Sequence, residues 1–494
     1  MVATTRTGQG GAWGAEARAT LALAWPLALT NLSQHALALT DAIILGWFST
    51  EALAAATLGA NLYWAVMAAP LGTALAATPI LAQARGAGRL AGGEGRGWVR
   101  QMRRGAQSAL WASLAMLLPA MLLLWFAEAV LLALGQEPGL AALAGAYVRC
   151  LMWGLLPFCA FVVLRGFLAA MERPAPALWI AVGAIGVNAA LDWLLVFGAG
   201  DWPGLGVVGA GIASSLANTL MVLGLLALIA RDRVLGRFRL LGRMEFGAGR
   251  SGAPRPAAPR PADRLRPDWS KLREVMRIGL PISGTMLLEI GVFSAAAIAM
   301  GWFGAIAIAA HAIALQVAAT TFMVPMGIAQ AATARVGLFA GAGEGPAAAR
   351  AGWVAVALGA GFMAAMALLL VSSAGPVAWA FLDAADPRAA EAAALGAVLL
   401  TIAGLFQLAD GVQAVAAGAL RGLKDTRVPM LLAALGYWGL GMPIGLSLAE
   451  AAGLGPTGLW IGLAVGIGAV ALLMLRRWWR LSRAAPGMGG APRG

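Results

Sequence analysis

Long apolar stretches recur along the whole of this chain, and they restrict its possible folds more than any other feature. Each is roughly 20 residues or more, long enough to cross a bilayer as a helix. Twelve can be delimited, over residues 19–46, 52–82, 105–134, 141–170, 176–199, 207–230, 275–303, 305–334, 352–382, 390–420, 428–449 and 456–479. Barrel strands would alternate apolar and polar residues over about ten positions, and these stretches do not. Composition agrees: 61% of the 494 residues are hydrophobic, 12% are charged and the mean hydropathy is +0.80, where a soluble chain carries roughly 25% charge. The sequence predicts an all-α polytopic membrane protein with twelve transmembrane helices.

The arginines orient it. Arg85 to Arg104, Arg173, Arg231 to Arg277, Arg335 to Arg350, Arg421 to Arg427 and Arg476 to Arg483 all fall in loops on one side. The opposite loops hold Glu51, Glu137, Asp201, Asp383, Asp386 and Glu450, with Arg388 as their one cation. Basic loops stay in the cytoplasm, which places both termini there and makes the net charge of +13 a signal of topology. No nucleic-acid partner is expected. Polar residues up to Arg18 lead into a span too long for a signal-peptide core.

The chain repeats itself. At an offset of 255 residues Pro26 falls on Pro281, Gly46-Trp47-Phe48 on Gly301-Trp302-Phe303, Pro70 on Pro325, Gly72 on Gly327, Thr78 on Thr333, and Gly86-Ala87-Gly88 on Gly341-Ala342-Gly343. With a one-residue slip, Leu164-Arg165-Gly166 matches Leu420-Arg421-Gly422. Six spans per half start both halves on the same side, so the repeat is parallel and its axis runs along the membrane normal, as in many secondary transporters. The expected organisation is a cytoplasmic tail over 1–18, an N-terminal lobe over 19–230, a basic linker over 231–274, a C-terminal lobe over 275–480 and a cytoplasmic tail over 481–494. Within the linker, the Pro-, Arg- and Ala-rich stretch Gly249 to Asp268 cannot bury a core and reads as flexible.

Four carboxylates lie inside spans, where each costs about 2.5–3.5 kcal/mol on insertion scales and marks a functional site. Glu289 is 12 residues from Arg277, and Asp410 is 11 from Arg421. At 1.5 Å per residue both sit about 17 Å in, near the midplane. Asp41 is six residues from Trp47 and Asp192 nine from Asp201, which places that pair roughly 9–14 Å below the opposite face. Asn188 precedes Asp192 by one helical turn and shares its face. No span-interior lysine or arginine is expected at their depth, since Arg149 and Arg165 stand nearer the span ends. Such carboxylates hold protons or bind a cation, and their hard oxygens suit an alkali ion. Met286 and Phe293 are candidates for holding flat organic cations through soft packing and cation–π contacts.

Other chemistries find no support. His35 and His311 are the only histidines and no Cys/His cluster accompanies them; each reads as a polar contact between helices. Cys150 and Cys159 lie about 13 Å apart along one helix, too far for a disulfide. Lys271 and Lys424 are the only lysines and neither completes a phosphate-binding loop. No GxSxG is present, and Gly204-Leu205-Gly206-Val207-Val208-Gly209 joins two spans with no preceding strand. The chain is not expected to be an enzyme, and no cofactor is expected besides a coupling ion.

These residues resemble the multidrug and toxic compound extrusion (MATE) family, over about residues 17–480. The resemblance rests on PLALTNLSQHALALTDAIILG, the APLG and VPMG turns at Pro70 and Pro325, LRGFLAAMERP, and the Asn188/Asp192 pair. LPISGTMLLEIGVF, AHAIALQ and LFQLADGVQAVAAGALRGLKDTR are similar to its NorM-like branch. The resemblance implies two six-helix lobes forming a V, and export of organic cations in exchange for sodium ions or protons. It implies Glu289 and Asp410 as a C-lobe cation site. It also implies Asp41, Asn188 and Asp192 as an N-lobe site with Ser214 as a hydroxyl ligand, where Na+ could be the metal bound. His311, Gln316, Phe406 and Gln407 join the substrate-contact candidates. Phe406 stands where the branch often has tyrosine, which weakens a C-lobe sodium site. The implied setting is a bacterial inner membrane, with a monomer in the lipid bilayer. Lipid-linked oligosaccharide flippases share the superfamily architecture, but they would need cations facing the cleft.

Overall fold

The computed structural model describes residues 9–92, 96–238, 268–383 and 385–484. Helices fill it, and the sole β feature among the described residues is the isolated bridge between Ala199 and Trp202. The twelve spans are Gln9–Phe48, Thr50–Leu90, Gly97–Trp125, Pro138–Ala170, Ala175–Phe197, Val207–Arg231, Trp269–Phe303, Ala305–Gly341, Gly345–Trp379, Ala389–Gly422, Arg427–Glu450 and Gly455–Arg483. The last eleven are long and apolar enough to cross a membrane by themselves. The first is diluted by Asn31, Gln34 and His35, which are spent on contacts described below. Leu118, Leu122, Leu368 and Leu472 present most of their surface outward, as lipid-facing side chains of membrane helices do.

Span ends run further than hydropathy predicts. Residues 9–18, expected as a tail, are helical, and Glu16 within them is buried. At the other edge of the expected linker, a helix begins at Trp269, capped by the Asp268 carboxylate accepting from the Lys271 amide at 3.3 Å. Residues 249–267 lie outside the described residues. Helix also continues to Arg483, beyond the expected end of the C-lobe.

Each half has its own core. One centres on Met67, Leu81, Leu117, Phe161 and Phe167 of the first six spans; the other on Ala403, Val470, Trp460 and Met474 of the last six. The first span of each half is shared. Residues 23–27 pack with Ile328 and Val415 of the C-lobe, whereas Ile44 and Leu45 belong to the N-lobe core. Correspondingly, Val275, Ile278 and Ile282 of the seventh span join the N-lobe core, and Val292 and Ala296 the C-lobe core. Pro26 and Pro281 sit inside these helices. The hydroxyls of Thr30 and Thr285 donate to their carbonyls at 2.6 and 3.0 Å.

The lobes meet through contacts that obey the 255-residue offset. A Cβ on Gly72 would enter the Ser283 backbone, and one on Gly327 the Ala28 backbone. Likewise a Cβ on Gly86 would overlap the Leu338 carbonyl, and one on Gly341 the Gln83 carbonyl. Each contact maps onto its mate under the repeat, so the two lobes are related by a pseudo-twofold axis through this junction. All these contacts lie toward the arginine-rich end. Hydrogen bonds between lobes continue from Gln83 Nε2 to the Gly422 carbonyl (2.8 Å) up to Gln316 Nε2 and His35 Nε2 (3.2 Å). None lies beyond that pair among the described residues. The arginine-rich end is therefore closed, and the lobes part toward the other end.

Gly327→Leu tests this seal. Overpacking of a close helix crossing costs about 1–3 kcal/mol, which shifts a two-state equilibrium about 5- to 150-fold. Spin labels on Trp47→Cys and Trp302→Cys, at the parted ends, should report a shorter distance in the Gly327→Leu protein, because opening one end closes the other. An unchanged distance distribution would show that the crossing is not the hinge contact.

One repeat match is corrected. The fourth span ends at Ala170, with Glu172 in the left-handed region (φ 57°) and the Arg173 amide donating to the Leu168 carbonyl at 2.9 Å. The tenth ends at Gly422, with Lys424 at φ 62° and the Asp425 amide donating to the Leu420 carbonyl at 3.0 Å. Leu168 is thus the counterpart of Leu420, and the Leu-Arg-Gly triplets stand one turn apart. Arg165 lies a turn deeper than Arg421.

Candidate ion and substrate sites

Three helices bring the N-lobe residues together. Asp41 comes from the first span, Asn188 and Asp192 from one face of the fifth, and Ser214 from the sixth. Asn188 Nδ2 donates to Asp41 Oδ1 at 2.5 Å and to Asp192 Oδ2 at 2.6 Å, while Ser214 Oγ donates to Asp41 Oδ2 at 2.5 Å. Asp192 is fully buried and Asp41 and Asn188 nearly so. Two carboxylates sharing one amide in low dielectric cannot both stay charged without a proton or a cation between them. Two buried oxygens, Asn188 Oδ1 and Asp192 Oδ1, have no protein partner among the described residues. Unmet acceptors beside two carboxylates and a hydroxyl are the donor set that a proton or an alkali ion satisfies.

The structure brings Glu289 and Asp410 within electrostatic reach of each other, on the seventh and tenth spans. No protein hydrogen bond reaches either carboxylate among the described residues. The expectation that no cation stands near the four carboxylates is corrected here. Arg421 lies within electrostatic reach of Glu289, although no hydrogen bond or ion pair joins the two among the described residues.

Tyr437 escapes sequence reasoning. It is buried on the seven-residue π-helical stretch Leu435–Gly441 of the eleventh span, accepts from Gln413 Nε2, and lies within electrostatic reach of both Glu289 and Asp410. A phenol thus returns to the second lobe from a different helix than the one carrying Phe406. The available signal was the glycine-spaced LGYWGLG run, since widened turns mark functional stretches.

The substrate-contact candidates separate into two groups. Met286, Phe293 and Gln316 are half-buried, and Gln316 meets His35 across the lobes. His311, Phe406 and Gln407 are packed inside the C-lobe. There His311 Nδ1 accepts from Trp460 Nε1 at 3.2 Å, Phe406 lies edge-on to Trp460, and Gln407 Oε1 accepts from Thr321 at 2.8 Å.

Ser214→Ala removes one oxygen from the N-lobe set while leaving both acids. One lost hydrogen-bonding group is worth about 1 kcal/mol, so half-saturation of a cation bound at this set should need about fivefold more of it, with Ser214→Thr close to wild type. Equal ion dependence in all three proteins would remove Ser214 from the site.

Two pseudo-symmetric six-helix lobes, closed at one end and holding buried acids, make a two-state membrane carrier. The MatE family model matches residues 26–194 and 281–446, once in each half. The chain is 44% identical over 474 residues to the probable multidrug resistance protein NorM of Mesorhizobium japonicum, covering 96% of each chain. It is 42% identical over 468 residues to that of Brucella suis, covering 95% of this chain and 94% of the relative. In fold it is similar to the crystal structure of the eukaryotic MATE transporter AtDTX14, with a TM-score of 0.81 at 19% identity over 96% of this chain and 99% of that one. The Vibrio cholerae MATE transporter VcmN in its bent form gives 0.77 at 18% identity, over 96% and 99%. The chain belongs to the MatE family.

Proposed function

We propose that this protein is a secondary active multidrug exporter that expels organic cations in exchange for sodium ions or protons entering the cell. The observation that carries the reading is the convergence of Asp41, Asn188, Asp192 and Ser214 from three helices, with two buried oxygens left without partners among the described residues. The arginine-rich end is cytoplasmic, the membrane is a bacterial inner membrane, and the closed junction makes the present state outward-open. In that state the acids take up the coupling ion from outside and cationic cargo leaves. In the inward-open state the ion departs and new cargo competes for the same negative field. Each ligand moves the lobes only by its differential affinity for the two states. Met286, Phe293 and Gln316 are the proposed cargo contacts, and Glu289 with Asp410 a second, C-lobe coupling pair. A monomer suffices, since both lobes belong to one chain.

Proteoliposomes loaded with ethidium test this, with inward sodium and inward proton gradients imposed separately. Dye export under one gradient, lost in Asp41→Asn, supports the reading and names the ion. Dye retained under both gradients while a labelled lipid-linked sugar crosses the bilayer would make the protein a flippase. The acidic sites disfavour that, since a pyrophosphate-linked cargo needs cations.

A further inference from the structure

Arg165, at the lobe junction, takes no part in the proposed exchange cycle. It is 5% exposed, on the fourth span, and its hydrogen bonds go to neutral groups. Nη1 donates to Asn31 Oδ1 at 2.8 Å and to Gln34 Oε1 at 3.1 Å. Among the described residues no carboxylate hydrogen-bonds or ion-pairs with the guanidinium. Arg421, in the Leu-Arg-Gly triplet that stands one turn away under the repeat, differs, having Glu289 within reach. A guanidinium carries five N–H donors; among the described residues only Nη1 is bonded to protein, and Nε and Nη2, which are not among the fully buried unmet atoms, remain accessible to a small guest. Gln34 Nε2, also buried, has none either. A buried charge left without a counter-ion is strongly unfavourable, and water can fill donors but cannot neutralise the charge.

Arg165 borders a narrow cavity at the junction, lined also by Leu27, Leu75, Thr78, Val162 and Gln330. It has room for about one water-sized guest. Gln330 comes from the other lobe and donates to Asn31 Oδ1 at 3.3 Å, so the cavity wall is complete only while the arginine-rich end is closed.

We infer that Arg165, with Gln34 and the closing Gln330, holds a small monovalent inorganic anion of halide size, and that this anion favours the state in which the arginine-rich end is closed. The anion is neither the cationic cargo nor the coupling ion. It is a counter-ion bound at the hinge, and it links lobe closure to the halide concentration. A ligand that binds one state better than the other shifts the equilibrium toward it.

The deciding experiment is crystallography of the full chain in sodium bromide, with anomalous data collected at the bromine edge. A peak against the Arg165 guanidinium is expected, absent in Arg165→Met. No peak there in wild type, or the same peak in Arg165→Met, would overturn the assignment. Thermal unfolding gives a second reading at fixed sodium concentration. Wild type should melt about 2–4 °C higher in chloride or bromide than in gluconate, and Gln34→Leu, which keeps the arginine, should show a smaller difference. Identical melting of wild type in the three salts would refute the linkage to stability. Neither measurement uses transport, so failure here leaves the exporter reading intact, and failure of export leaves this site intact.

Discussion

Asp41→Asn is expected to abolish ion-driven dye export, lowering the initial rate by about a hundredfold, while the purified protein keeps its helical content and monodispersity. The size follows from the cost of a charge inside the membrane, about 2.5–3.5 kcal/mol, which the coupling ion relieves on binding and which a neutral amide never incurs. The side chain accepts from both Asn188 and Ser214; an amide can keep its oxygen on Asn188 and donate to the Ser214 hydroxyl, which also accepts, so the substitution removes charge and leaves the hydrogen bonds. Asp192→Asn should be as severe, because its free Oδ1 becomes either an unmet acceptor or an unmet donor without charge. Glu289→Gln and Asp410→Asn decide whether the second pair is coupled to the same ion. If either one leaves export unchanged, coupling belongs to the N-lobe alone. Initial rates in proteoliposomes under the gradient that drives wild type are the measurement. Export that survives in both Asp41→Asn and Asp192→Asn would end the N-lobe assignment.

Arg335→Gln is expected to open the closed end. Arg335, on the eighth span, is the C-lobe member of a cluster of three arginines and two carboxylates. It meets Glu16 at 2.6 Å and Glu172 at 2.5 Å, while Arg85 and Arg89 of the N-lobe also hold Glu172, at 2.8 and 2.9 Å. Glu16 is 5% exposed, and without Arg335 its one remaining side-chain partner among the described residues is the Thr20 hydroxyl at 3.3 Å. Breaking a buried pair on one side costs about 3–5 kcal/mol. That is enough to invert a two-state equilibrium, because lobe separation hydrates Glu16 and relieves the penalty. Labelling of a cysteine placed at Gln83 by an impermeant reagent from the arginine-rich side should rise sharply in Arg335→Gln and return toward wild type in Glu16→Gln/Arg335→Gln. Unchanged labelling would show that glycine packing alone holds the end shut.

The cluster also has a defined pH response. Burial pushes the Glu172 carboxyl up, but Arg85, Arg335 and Arg89 together outweigh it and hold the group below its ordinary value of 4.5. A depressed carboxyl contributes its full stabilisation above the unfolded value and loses it only as pH falls through the lower folded value. The Glu172 contribution to the seal is therefore constant above about pH 5 and fails only in stronger acid. Its left-handed backbone (φ 57°) is a conformation that glycine or asparagine adopts more readily, so the charge, and not the turn, accounts for glutamate there.

Much of this was legible along the chain because it depends on distances measured along a helix. Span count follows from bilayer thickness, and the Asn188–Asp192 pair from one helical turn. The repeat was legible too, and Gly72 and Gly327 proved to be mates in a symmetric contact. What failed were inferences across helices. Arg421 stands near a carboxylate that helix counting kept apart from it, Tyr437 joins the second acidic pair from the eleventh span, and His311, Phe406 and Gln407 turn inward.

Twelve spans and a twofold internal repeat were set by the order of residues alone, because hydropathy and helical rise act locally on each segment. Three-dimensional packing was needed to establish which groups share a site, that Glu16 and Glu172 belong to Arg335, and that Arg165 meets no acid among the described residues. Those outcomes depend on how helices rotate and cross, which is set by packing between residues far apart in the chain.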